Sequence, residues 1–189
     1  MNRTPAIVLI LVLVIALAWY AGQPRFSVSG KLLGATGLAR TRHKTEIERV
    51  QNMYADKRGL RNNNPGNIEK GAAWQGRSKS QPDSRFITFK SPEWGIRAMG
   101  RILLNYERLH GINTVNGIIS RWAPPKKNGV VENDTTSYIN AVASKLGVSP
   151  NQEIKVNNHL KPLVKAIIHH ENGLQPYSDA LINDGLALV

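Results

Sequence analysis

The sequence predicts a mainly helical domain with a small β-hairpin, preceded by a single N-terminal transmembrane helix. Three observations predict it. Residues 6–21 form an apolar run without one charge, capped amphipathic stretches recur from residue 44 onward, and only Arg85 to Phe89 carries a strong β signal. At 189 residues there is room for one compact domain plus an appendage.

Residues 6–21, with Trp19 and Tyr20 as an interfacial aromatic anchor, are about long enough to cross the hydrocarbon layer. The rival is a cleaved secretory signal with Arg3 in its charged region and Ala16-Leu17-Ala18 as cleavage site. The apolar run exceeds the usual ~7–15 residues of such a signal, so residues 1–22 are expected to be a retained anchor. Arg25, Lys31, Arg40, Arg42 and Lys44 come after it, and by the positive-inside rule they hold the remainder on the cytoplasmic side. Residues 23–43 lack a sustained apolar period and read as a flexible basic tether, leaving residues 44–189 as the domain.

Within the domain, Ile47, Val50 and Tyr54 predict a short helix over Lys44 to Asp56 with Thr45 as N-cap and Glu46 and Glu48 in solvent. Arg58 to Ile68, with three consecutive Asn before Pro65-Gly66, reads as a fixed turn, because Asn competes for backbone hydrogen bonds and Pro removes a donor. Residues 69–84 are loop-like and supply one arm of the hairpin, and residues 85–89 supply the strand. Ser91-Pro92-Glu93 starts a helix running to about Leu109, with Ile96, Met99, Leu103 and Tyr106 as its core stripe. Gly95, Ala98 and Gly100 let another backbone approach it, and it is expected to be the central helix.

A shorter helix runs from Thr114 to Trp122, turned inward through Ile118, Ile119 and Trp122 and stopped by Pro124-Pro125. Residues 126–133 read as a loop. Asp134 or Thr135 then caps a helix carrying Tyr138, Ile139, Val142 and Leu146, closed by Gly147. Leu160, Leu163, Val164, Ile167 and Ile168 predict a helix from about His159 to Asn172, with Pro162 in its first turn and Gly173 as its cap. A short final helix holds Leu181, Ile182 and Leu186.

One further step along that stripe lands on Glu171. Burial beside aliphatic side chains and the negative end of the helix dipole both disfavour its ionised form. A carboxylic acid kept protonated near neutrality is what a glycosidase needs to protonate the leaving glycosidic oxygen. Glu132 is the candidate second carboxylate, activating water or stabilising an oxocarbenium-like centre, with loop capping as its alternative role; Asp83 and Glu69 are weaker versions of the idea. The amides of Asn62, Asn63, Asn64 and Asn67 suit a cleft wall that reads sugar hydroxyls and N-acetyl groups.

His169 and His170 point about 100° apart on a helix and do not converge on one ion, so no metal and no cofactor is expected. There is no phosphate-binding glycine motif, no nucleophile elbow and no Cys. The formal charge of +12 calls for an anionic partner such as peptidoglycan or lipid headgroups. Few aromatics interleave with the basic residues, which makes nucleic acid the poorest candidate.

Several pieces together carry a resemblance: Arg58-Gly59-Leu60-Arg61-Asn62-Asn63-Asn64-Pro65-Gly66-Asn67-Ile68, Trp74-Gln75-Gly76, Phe86-Ile87-Thr88-Phe89, Trp94-Gly95-Ile96-Arg97-Ala98, Arg121-Trp122-Ala123-Pro124, Glu132-Asn133-Asp134-Thr135 and His170-Glu171-Asn172-Gly173. From Arg58 to about Leu186 the chain resembles small phage virion-associated proteins with a lysozyme-like domain. More distantly, the Asn-rich stretch, Trp74 and Phe86 to Phe89 look like the segment C-terminal to the catalytic Glu in bacterial wall glucosaminidases and lytic transglycosylases. There a Glu-Ser-Gly-like tripeptide comes first. Here Glu48-Arg49-Val50 is a poor match and Glu171-Asn172-Gly173 a better one, as in a circular permutation.

The resemblance implies an α+β lysozyme-like domain that cleaves the glycan strand of peptidoglycan during phage entry. Glu171 would be the general acid, Asn62, Asn63, Asn64 and Asn67 would shape the cleft, and Trp74 and Tyr138 would stack on sugar faces. A lone acid implies a lytic transglycosylase, and a partner such as Glu132 implies hydrolysis. The expected location is the virion membrane, where the positive-inside rule carries less weight, with action on the host periplasmic wall and other virion membrane or vertex proteins as partners. The alternatives are a non-enzymatic structural protein of the virion membrane and a wall enzyme of a bacterial inner membrane or a secreted one.

Overall fold

The computed structural model describes residues 31–127, 130–131 and 134–189. The expected membrane span over residues 6–21 and the candidate carboxylate Glu132 lie outside the described residues. Among the described residues, no helix is long and apolar enough to cross a membrane.

The described residues fall into two units, residues 31–41 and residues from 42 onward. In the first, the described residues 31–41 are helical, the opening part of α1 (Lys31–Met53). Part of the stretch expected as a tether is therefore helix, and Thr45 lies within that helix and not at its N-terminus. Leu and Ala scattered through residues 32–39 supply helix propensity that outweighs the intervening Gly and Thr.

The second unit contains the rest of α1, then α2 (Arg58–Arg61), α3 (Pro92–His110), α4 (Val115–Trp122), α5 (Thr135–Leu146), α6 (Val156–Asn172) and α7 (Asp179–Ala187). Local capping chemistry sets most of these ends. Thr114, Asp134 and Ser178 each accept a hydrogen bond from the backbone N–H three residues on, and α3, α5 and α6 close on Gly111, Gly147 and Gly173 in the left-handed conformation. Glu46, expected in solvent, instead accepts bonds from the Ser178 backbone and hydroxyl and so ties α1 to the start of α7.

The core is one apolar cluster. Leu163, Val164, Ile167 and Ile168 of α6 are all fully buried, each removal from water stabilising by roughly 1.5–3 kcal/mol. α6 packs on α2, α3, α5 and α7, and so takes the central place expected for α3. It also starts earlier than its periodicity suggests, which puts Pro162 in the helix interior. Pro162 and Asn158 both face solvent, so water can satisfy the carbonyl that lost its donor.

The expected hairpin over residues 69–89 is not a continuous ladder. Glu69 bridges Phe86 and Arg77 bridges Phe89, each as an isolated pair. Scattered backbone bonds such as Ile87 N–H to the Ile68 carbonyl and Ser78 N–H to the Thr88 carbonyl link the segments, and side-chain amides take several of the remaining groups. Asn64 donates to the carbonyls of Ile68 and Ile87 and accepts from the Ile68 N–H, Asn63 donates to the Phe89 carbonyl, and Gln81 bonds both backbone groups of Thr88. Regular strand pairing occurs instead where a loop was expected, between Lys126–Lys127 and Val130–Val131, antiparallel.

Gly95 makes the Asn-rich turn fit against α3. A Cβ there would lie 2.2 Å from the Asn63 carbonyl oxygen, closer than any side chain can approach backbone.

Candidate active site

Glu171 occupies the last turn of α6, half-buried, and its carboxylate receives three hydrogen bonds. Asn67 Nδ2 donates to Oε2 at 2.9 Å, while Trp122 Nε1 and the Tyr138 hydroxyl donate to Oε1 at 3.2 and 3.1 Å. Four elements meet at this carboxyl: the Asn-rich turn, α4, α5 and α6. Burial pushes its pKa above the ordinary carboxylate value, and the donors from Asn67, Tyr138 and Trp122 pull it back part of the way.

Two of the donors, Asn67 and Tyr138, are themselves held. Asn67 adopts a left-handed backbone conformation, φ 49°, and its Oδ1 is buried without a hydrogen-bond partner against Gly59. A Cβ on Gly59 would come within 2.6 Å of Asn172 Oδ1 and 2.9 Å of Asn67 Oδ1, so only glycine leaves room for both amides. The Tyr138 ring stacks on His170, centroids 3.5 Å apart and planes 9° from parallel. Burial, and then His169 beside it, lowers the His170 pKa, which favours a neutral ring for this stacking. Burial also drives the Tyr138 hydroxyl far above its usual value, so it serves Glu171 as a donor.

Glu171 opens onto a cleft of about 620 Å³. Asn67, Glu69 and Arg85 line it on the polar side; Phe86, Tyr106, Trp122 and Ile102 supply flat and apolar surface. Mixed aromatic and polar lining of this kind suits a saccharide, whose ring faces are apolar and whose edges are hydroxyls.

Sequence similarity bears on the identity of this molecule. Protein P5 of Pseudoalteromonas phage PM2 is 45% identical over 133 residues, which cover 68% of this chain and 79% of the relative. The chain belongs to the family of PM2 protein P5. No model of a wider protein family matches it. This P5 relative therefore joins a phage family, and its chemistry has to be read from its own residues.

Of the residues expected at the site, the fold of this chain brings Glu171, Asn67 and Tyr138 together. Tyr138 is a correction in role: it is 2% exposed, so its ring meets His170 and cannot meet a sugar. Asn62, Asn63 and Asn64 are corrections in place. All three are buried in the turn, where they serve the backbone of residues 68–89 and the Asp83 carboxylate, and none lines the cleft. Trp74 packs against the core and does not line the cleft either.

Asp83 is structural. It accepts two bonds from Arg58 at 2.6 and 2.7 Å, one from Asn62 and two from the Arg85 and Phe86 backbone, which together hold its carboxyl well below the usual range. Glu69 does line the cleft, paired with Arg85 at 2.7 Å. Sequence reasoning missed Trp122 as a donor. Its apolar spacing on α4 suggested core, and only its indole N–H, a group that seeks a partner when buried, hinted at more.

Proposed function

We propose that this P5-family protein cleaves the glycan strand of peptidoglycan from a membrane-anchored position in the virion, through a lysozyme-like site with Glu171 as general acid. The observation that carries the reading is the placing of one carboxyl, raised in pKa by burial, at a cleft lined by aromatic and amide groups.

The hydrogen bonds suggest how the acid works. Trp122 and Tyr138 occupy Oε1 with two donors, so the proton belongs on Oε2, where Asn67 takes only one position. Oε2 gives that proton to the glycosidic oxygen as the bond to the anomeric carbon breaks and its electron pair passes to the leaving oxygen. The cation left behind is captured by a hydroxyl of the same sugar, whose proton returns to the Glu171 carboxylate as the new C–O bond forms, the lytic transglycosylase route. This route is favoured because the other described carboxylate of the cleft, Glu69, is engaged with Arg85. Hydrolysis would require Glu132 or Glu69 to activate water.

The three donors also favour a second reading. A carboxylate so fully bonded staples α6 to α4 and α5, which is all that a non-enzymatic virion membrane protein requires of it. Zymography with the full chain separates the two. A clearing zone that vanishes in Glu171→Gln supports catalysis, and clearing at wild-type strength in that variant refutes Glu171 as the acid. Loss confined to Glu132→Gln would move the role there.

A further inference from the structure

Three arginines stand on aromatic rings that line the cleft. Arg58 and Arg85 lie over Phe86, 4.6 and 5.2 Å from its centroid, and Arg121 lies over Tyr106 at 5.4 Å. The first two are already matched to acids, Arg58 to Asp83 and Arg85 to Glu69. Arg121 has no carboxylate among the described residues. Its contacts are the Tyr106 face and His110 Nε2, 3.3 Å from one guanidinium nitrogen.

This leaves an exposed cation at the edge of the cleft, seated over the lining ring of Tyr106 and adjacent in sequence to Trp122, a lining residue and a donor to Glu171. If His110 accepts from it, one of five guanidinium N–H groups is used and a planar fork remains. Such a fork matches a carboxylate in two parallel bonds. We propose that Arg121, steadied by His110 and Tyr106, binds a carboxylate of the glycan substrate and makes the cleft selective for acidic over neutral aminosugar strands. The inference rests on the glycan reading above and names the substrate's charge within it.

Two sources of that carboxylate exist on a wall glycan: the lactyl ether of the sugar, free when no peptide is attached, and the stem peptide. Affinity of the full chain is measured for soluble strands without stem peptide, for strands bearing it, and for each after conversion of its carboxyls to methylamides. The wild type should bind one carboxylated strand about ten-fold more tightly than its amide, the worth of a charge-assisted bond. Arg121→Gln should bind the two alike, Arg121→Lys should recover part of the difference, and Arg49→Gln, a change at an exposed arginine on α1, should keep all of it. Preference for the peptide-free strand assigns the sugar carboxylate, and preference for the peptide-bearing strand assigns the peptide. A wild type that does not discriminate, or an Arg121→Gln chain that still does, overturns the proposal. Binding is read without turnover, so a failed zymogram counts against the acid alone. Binding to no strand at all would sink both.

Discussion

Tyr138 gives its hydroxyl hydrogen to Glu171 Oε1 across 3.1 Å while its ring lies flat on His170, the residue before Glu171. One side chain of α5 thus holds two consecutive side chains of α6. The donor steadies the ionised carboxylate, and the stack fixes where the donor points.

Tyr138→Phe keeps the stack and removes the donor. Loss of a bond to the charged form raises the Glu171 pKa further, so the general acid stays protonated to higher pH. The alkaline limb of a pH–rate profile should move upward, and a carboxyl NMR titration of Glu171 should move with it. A raised KM with an unmoved profile would mean that the ring meets substrate after all.

Glu171 also leaves a mark on stability. Its folded pKa lies above the ordinary carboxyl value because of burial, so between the two the native state binds more protons than the unfolded one, and stability falls as pH rises through that window. Glu171→Gln removes the titration. Chemical denaturation from pH 4 to 8 should show a smaller decline for the variant, which should melt at or above the wild type at the alkaline end.

Asp83 has the opposite sign. The Arg58 guanidinium is the largest cause holding its carboxyl below the ordinary range, so it contributes stability above that range that is lost as pH falls toward the depressed value. Asp83→Asn should lower stability near neutrality and flatten the acid limb of the stability curve below about pH 4.

Asn64 is wholly buried and satisfies three backbone groups of Ile68 and Ile87. Asn64→Ala leaves the Ile68 N–H and the Ile87 carbonyl unpaired, while the Ile68 carbonyl keeps the Ile87 N–H, at a cost of about 1–3 kcal/mol for each buried group left without a partner. Denaturant unfolding should show a loss of at least ~2 kcal/mol. A residue that served only to bind sugar would lose affinity without that loss.

Much of the helical framework could be read from the chain because its signals are local. Ser178, Thr114 and Asp134 cap helices whose apolar faces recur at helical spacing, and Glu171 continues the buried stripe of α6. The hairpin and the start of α1 could not be read so well. Residues 85–89 have strand propensity, yet the amides of Asn63, Asn64 and Gln81 take the Phe89 and Ile87 carbonyls and both backbone groups of Thr88, places where a continuous second strand would have paired. The same Asn residues looked like ligands for sugar because sequence shows what a side chain can bond, never whether backbone reaches it first.

Residues within one or two turns of each other specify a mainly helical domain and an acidic side chain at the closing turn of a helix that carries a fully buried apolar stripe. Only tertiary structure decided what that acid meets. Its donors come from 104, 49 and 33 residues away, and packing of α4, α5 and the Asn-rich turn around α6 brings them to one carboxyl. Burial and donors together set how readily Glu171 keeps its proton, and both are properties of the assembled core.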